Sequence, residues 1–337
     1  MADSAGRPDG RGRAGALGVL LPPDLPGGQL LPFARAAERL GIDELWVVED
    51  CYLRGGIAQT ALVLAATSRI TVGIGILPAG ARNVAFAAME LATLAEAFPG
   101  RLLAGVGHGM PGWMRQNGAW PASPLGLLEE YTAALRSLLH GQRLDVAGTY
   151  VKLDGVQLAV PPAVVPPVYT GVRGPRSLEL SGRVADGTVL AEPVTPEYLA
   201  EAAARIAVGR AAADPARVAA EHRLVGYNLA AVSDDPAAAR DQVRPGLQWL
   251  GEADWAVHLA PLGGAEELAR LRAESGSRAA FAAALPDAWV DRLAVVGDVA
   301  TCRARLEQLW AAGAGSVVLA PTGPDRLASL EQLGSLV

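Results

Sequence analysis

Apolar and polar positions alternate between two periods along this chain. Short apolar runs read as buried parallel strands at 16–21, 44–48, 70–76, 101–106, 168–171, 188–191, 223–232 and 315–320. Between them, segments with the 3.6-residue period predict helices at 29–40, 59–68, 83–97, 124–140, 175–184 and 196–212. Parallel neighbours need long crossover connections, and these segments supply them. Eight strand-then-helix repeats make an α/β chain, and the economical closure is a (β/α)8 TIM barrel. An open doubly wound sheet needs fewer strands and leaves the later repeats unexplained.

Two stretches break the pattern. Residues 144–160, LDVAGTYVKLDGVQLAV, alternate with period two around Gly148 and Gly155, which predicts a β-hairpin inserted after the fourth strand. Residues 236–309 are alanine-rich and helical, and hold the seventh helix plus a helical insertion between strands seven and eight. The opening MADSAGRPDGRGRAG is polar and glycine-rich, so a disordered tail is expected over 1–15, ahead of a single domain over 16–337. It lacks the apolar core of a signal peptide, and no run reaches the length of a membrane span, so a cytoplasmic protein is expected.

Composition narrows the function classes. Of 337 residues, 51% are hydrophobic, and the formal charge of −6 is spread along the sequence, which excludes the basic face of a nucleic-acid binder. Cys51 and Cys302 form no CxxC pair, and His108, His140, His222 and His258 form no metal-ligand spacing, so no disulfide framework and no metal site are expected.

The candidate chemistry gathers at strand ends, where parallel α/β folds bind ligands. Gly73 and Gly75 close the third strand, and Gly105, Gly107 and Gly109 the fourth; glycine there lets a ligand or another backbone approach closely, which suggests a flat cofactor. Gly171-Val172-Arg173-Gly174-Pro175-Arg176-Ser177 follows a strand and opens a helix, the arrangement that binds an anion; the alternative is an ordinary turn with two solvated arginines. Glu49-Asp50-Cys51 ends the second strand, where a carboxylate can bind or shuttle a proton, or else cap a helix or pair with Arg54. His108 can point into the barrel mouth as a donor or acceptor. Trp113, Met114, Arg115 and Trp120 either wall a pocket or cover the rim.

Five strings together resemble one known family: ELWVVEDCYLRGG, RITVGIGILPAGARN, GRLLAGVGHGMPGWMRQNGAW, VYTGVRGPRSLELSGRVADGTVLAE and VVGDVATCRARLEQLWAAGAGSVVLAP. The chain is similar to the bacterial luciferase-like flavin and deazaflavin oxidoreductases, and most to the branch that uses coenzyme F420. That resemblance implies a homodimeric (β/α)8 barrel with the cofactor ring in its mouth and a small organic molecule as substrate. It implies a non-prolyl cis peptide at Gly75-Ile76 behind the ring, contacts from Asp50, Gly107, His108 and Gly109, and a phosphate held by Arg173, Gly174, Arg176 and Ser177. Asp50-Cys51 stands where sugar-phosphate dehydrogenases of the family carry an Asp-His pair, and Gly109-Met110 where they carry Gly-Glu. Asp50, Cys51 and His108 are therefore the candidate catalytic positions, without that acid and base, and a sugar-phosphate substrate is disfavoured. An FMN-dependent monooxygenase is the alternative reading, and a non-catalytic barrel that binds F420 the third.

Overall fold

The computed structural model describes residues 13–215 and 218–337. Its strands are β1 (Ala16–Leu20), β2 (Glu44–Val47), β3 (Thr71–Ile74), β4 (Leu77–Pro78), β5 (Leu102–Gly107), β6 (Leu144–Ala147), β7 (Lys152–Val156), β8 (Val168–Gly171), β9 (Gly187–Leu190), β10 (Arg223–Val232), β11 (Val295–Gly297) and β12 (Ser316–Pro321). Eight of them pair in parallel in the order β1, β2, β3, β5, β8, β9, β10, β12, and β12 returns to β1. The sheet is therefore a closed (β/α)8 barrel. β4 continues the third barrel strand past a break at residues 75–76 and re-pairs Leu77 with Val106. The inserted hairpin is β6 with β7, antiparallel.

Two expectations change. Residues 1–12 of the expected tail lie outside the described residues, but Arg13 donates to Asp43 at 2.6 Å and Gly15 backs onto Trp310, so 13–15 belong to the barrel. The helical insertion also hides one strand. β11 pairs with the last residues of β10, Ala230 to Val295 and Val232 to Gly297. Three residues are too few to show a period inside a helix-rich segment.

The main core lies between the sheet and its helices, and a second one under the insertion gathers Phe281, Trp289 and Leu247. The third fills the barrel itself with Trp46, Leu103, Tyr169, Val189, Val225, Tyr227 and Val318. Trp46 is fully buried there, and its ring occupies the space a side chain at Gly73 would need: an added Cβ would stand 2.3 Å from the indole. The indole N–H donates to Glu44 at 2.9 Å, and Arg223 donates to the other carboxylate oxygen at 2.6 Å. The Ser316 hydroxyl also donates to Glu44. These groups sit at the starts of β2, β10 and β12, so a paired carboxylate closes the amino-terminal end and the wide end is left for ligands.

Gly73→Ala drives a methyl group into a rigid, buried ring, and overpacking of this kind costs about 1–3 kcal/mol. A lower urea midpoint for Gly73→Ala is expected, with Gly276→Ala, which meets open space, as an unchanged control.

Candidate active site

The carboxyl ends of the barrel strands open into a cavity of about 1780 Å³. Its floor is made by Gly75, Ile76, Gly171, Val189, Tyr227 and Ala320, and its walls by loops that carry Trp113, Trp249 and Trp255. The Gly75–Ile76 peptide is cis, at the position the resemblance implies.

The glycines at the strand ends make room for the protein's own atoms: a Cβ at Gly105 would stand 2.0 Å from the Ile74 carbonyl oxygen. A Cβ at Gly105, Gly107 or Gly171 would lie 3.1, 2.9 or 2.6 Å from Ile76, so these residues form the trough in which Ile76 lies. Gly107 thus supports the cavity floor and does not line it, whereas Ile76 does. A Cβ at Gly75 would lie 2.1 Å from the Tyr227 hydroxyl. Gly109 lines the cavity in the left-handed region, φ +70°, which glycine adopts without strain.

The two adjacent acids part company. Glu49 accepts from the Gly56 N–H at 2.6 Å, at the start of the helix Gly56–Ala66, and from Arg82 at 2.9 Å. It is a helix cap and an ion-pair partner. Arg54, the expected partner, donates instead to the carbonyls of Pro23 and Leu25. Asp50 lines the cavity with no such partner, and burial pushes its carboxyl up. Cys51 is half-buried, and burial followed by the charges of Glu49 and Asp50 raises its thiol, which keeps its proton and is a poor nucleophile. Burial lowers His108, so its imidazole is neutral at pH 7.

The loop at residues 171–177, expected to bind an anion, borders the cavity with some of its residues. Gly174 caps the helix Pro175–Val184, and the Ser177 hydroxyl donates back to the Gly174 carbonyl at 3.0 Å. Arg173, Gly174 and Ser177 border the cavity, but Arg176 is exposed and lies outside it. The Arg173 guanidinium stacks 4.7 Å over Trp255, and its carbonyl accepts from Tyr198 at 2.9 Å.

Two residues escaped the sequence reading. Glu192 follows β9 and lines the cavity, and the rule that singled out Glu49-Asp50, an acid at a strand's carboxyl end, would have found it. Tyr227 lies mid-strand in β10, inward-facing with Val225. Its hydroxyl is buried and has no hydrogen-bond partner.

The sequence pattern of the luciferase-like monooxygenases matches residues 12–316. The chain belongs to this family. Over 325 residues it is 27% identical to a 5,10-methylenetetrahydromethanopterin reductase of Methanolobus tindarius, covering 94% of this chain and 98% of that one. Over 185 residues it is 29% identical to an F420-dependent glucose-6-phosphate dehydrogenase of Microbacterium testaceum, covering 51% of this chain and 55% of that one. Among solved structures, the coenzyme F420 dependent tetrahydromethanopterin reductase of Methanopyrus kandleri superposes with a TM-score of 0.81, at 22% identity, over 96% of this chain and 98% of that one.

Beside the cavity of this luciferase-like barrel, His258 is fully buried, its ring 4.7 Å from that of Tyr198. Burial first, then the Arg173 charge, lowers it to about 3, and burial first, then Arg210, lowers His222 to about 4. Both are depressed below the unfolded value of 6.5, so the unfolded chain takes up protons first as pH falls. The stability they contribute is fully present above pH 6.5 and is lost as pH falls toward 4 and 3. The slope approaches about 1.4 kcal/mol per pH unit for each histidine. Urea unfolding at a series of pH values is expected to show this loss, and His258→Gln to flatten it.

Proposed function

We propose that this chain is a coenzyme F420-dependent oxidoreductase that moves a hydride between the deazaflavin ring and a small organic substrate. The observation that carries this reading is the cradle at the strand ends. Ile76, seated on glycines, offers a flat apolar shelf. Asp50 and Tyr227 stand at its edge, and the helix start at Gly174 and Ser177 offers anion-binding N–H groups at the cavity's side. A flat ring with a phosphate-bearing tail fits that outline, and the unpartnered Tyr227 hydroxyl gives the ring's polar edge a donor. The nearly full-length likeness to methylenetetrahydromethanopterin reductases and the partial one to F420-dependent dehydrogenases support the choice of cofactor.

When bound, the deazaflavin supplies hydride transfer; the protein supplies placement and proton control. Ile76 would back the ring, His108 and Gly109 would form the opposite lip, and Gly174 and Ser177 would take the phosphate with Arg173 at its border. Asp50 and His108 border the slot with proton affinities shifted by burial, while Cys51 serves as wall. The substrate would lie under the tryptophans. Cys51 and Met110 leave it without the His and Glu of the sugar-phosphate enzymes.

Purification from a host that makes F420, an absorption spectrum, and titrations with F420 and FMN test the assignment. F420 binding is expected; tight FMN binding without F420 binding overturns it. Gly171→Ala pushes Ile76 into the slot and is expected to weaken F420 binding about tenfold, or roughly 1.4 kcal/mol, with the thermal midpoint as a check on folding.

We also infer a cytoplasmic homodimer. No helix among the described residues is long and apolar enough to cross a membrane. The neighbouring helices Gly56–Ala66 and Val84–Ala97 leave Leu62, Phe86 and Met89 more than half or about half exposed, an apolar patch suited to a second copy. Sedimentation of the Phe86→Asp, Met89→Asp double variant is expected to show a monomer where the parent sediments as a dimer.

A further inference from the structure

β2 and β9 lie opposite each other in the barrel, four strands apart in either direction, and so do β3 and β10. Asp50, just past β2, and Glu192, just past β9, therefore approach the cavity from opposing sides. Tyr227 on β10 reaches across the barrel until its hydroxyl lies against Gly75, past the end of β3. Three groups able to carry a proton converge on one floor, and among the described residues no other side chain bonds to any of them. The chain just beyond Glu192 is fixed, because the Val194 N–H donates to the Asn228 side chain at 3.1 Å.

We propose that Glu192 is the proton donor and acceptor of this site, with Asp50 and the Tyr227 hydroxyl as its neighbours in exchange, in place of the side chains absent at Cys51 and Met110. The proposal rests on the F420 reading above for its hydride source. In the reductive direction a hydride passes from the reduced deazaflavin to an electrophilic carbon of a C=O or C=N substrate. The electron pair released onto the oxygen or nitrogen takes the Glu192 proton, so an O–H or N–H bond forms as the carboxyl O–H breaks. The substrate gains a hydride and a proton, the cofactor is oxidised by two electrons, and Glu192 is left as a carboxylate that solvent reprotonates. The reverse direction uses the carboxylate as base.

The surroundings suit that role. Burial raises the Glu192 carboxyl; its own backbone N–H opposes this, the charge of Asp50 raises it further, and Arg173 opposes. The other groups facing it are neutral: Tyr227 is raised well above 10 by burial, then by Glu192, Glu44 and Asp50, and His258, packed by Pro193, is held uncharged. Among the acids that line the mouth, Asp50 is the one whose charge acts on Glu192, so it influences how readily Glu192 keeps its proton.

The test is infrared difference spectroscopy on the cofactor-free protein across about pH 4 to 8, the range that separates ordinary from raised carboxyls. A protonated-carboxyl band that persists toward neutral pH is expected. It should be missing in Glu192→Gln and titrate at lower pH in Asp50→Asn, which removes the repelling charge. No such band, or one that survives Glu192→Gln and vanishes in Asp50→Asn, overturns the proposal. A parallel arm titrates F420 into wild type and Glu192→Gln, then follows single-turnover oxidation of reduced F420 with acetone or methylenetetrahydromethanopterin as probe. Equal binding with a rate about 10²-fold lower in Glu192→Gln is expected, the size of a general-acid contribution; equal rates overturn the proposal. If wild type fails to bind F420, the cofactor reading falls, and the infrared result still decides whether Glu192 stores the proton.

Discussion

The site depends on what fills the barrel beneath it. Glu44 is buried and would be costly without partners, but Arg223, Ser316 and the Trp46 indole all donate to it. That anchoring fixes the indole in the lumen, where it takes the volume that Gly73 leaves vacant and presses on Gly18. Tyr169 stacks on the indole at 6.4 Å and 24°, and Tyr227 meets it edge-on at 5.9 Å and 72°. The height of the cavity floor follows, since the Tyr227 hydroxyl and the shelf at residues 75–76 rest on this plug. A ligand in the mouth can go no deeper.

A second chain of contacts ties the insertion to the loop at residues 171–177. Arg173 lies 4.7 Å over Trp255, Trp255 stacks on Trp249 at 6.0 Å, and Arg278 covers the far ring at 3.9 Å. Each layer offers the next a cation or a π face, and such contacts contribute about 0.5–2 kcal/mol apiece, depending on exposure. The inserted helices thereby hold the guanidinium that Glu192 senses. Loops far apart in the sequence share one wall, and the pocket's lining is set partly by segments outside the eight repeats.

The barrel was legible in the sequence because each repeat carries its own period, and the hairpin because period two differs visibly from 3.6. The glycine-ended strands were legible as places of close approach, but not as to what approaches. Trp46 meets Gly73 as its register partner on the neighbouring strand, whereas Ile76, in the break after β3, and Tyr227, on β10, reach Gly171 and Gly75 only because the sheet curls into a barrel. Likewise, the loop at 171–177 offered two arginines with equal claim. Trp255, some eighty residues away in sequence, selects Arg173 and leaves Arg176 in solvent. Glu192 was visible as an acid at a strand end, yet nothing local distinguishes it from Glu49. The distinction comes from Arg82 and the Gly56 N–H, which engage Glu49 and leave the others open.

That last difference separates paired acids from unpaired ones around this barrel. Glu44 and Glu49 accept from cations and N–H donors, which repay the loss of water and hold them in fixed places. Asp50 and Glu192 line the cavity half-buried and without such side-chain or cation partners, so burial makes their charged forms less favourable. A fold that can pair two of its acids so completely has the means to pair the other two, or to replace them with apolar residues. An unpaired carboxyl in a cavity stabilises nothing while it waits. Its free energy is recovered only when a ligand arrives that accepts its proton or donates to it, so an acid left unpaired in a cavity is a stronger pointer to a functional site than an acid as such.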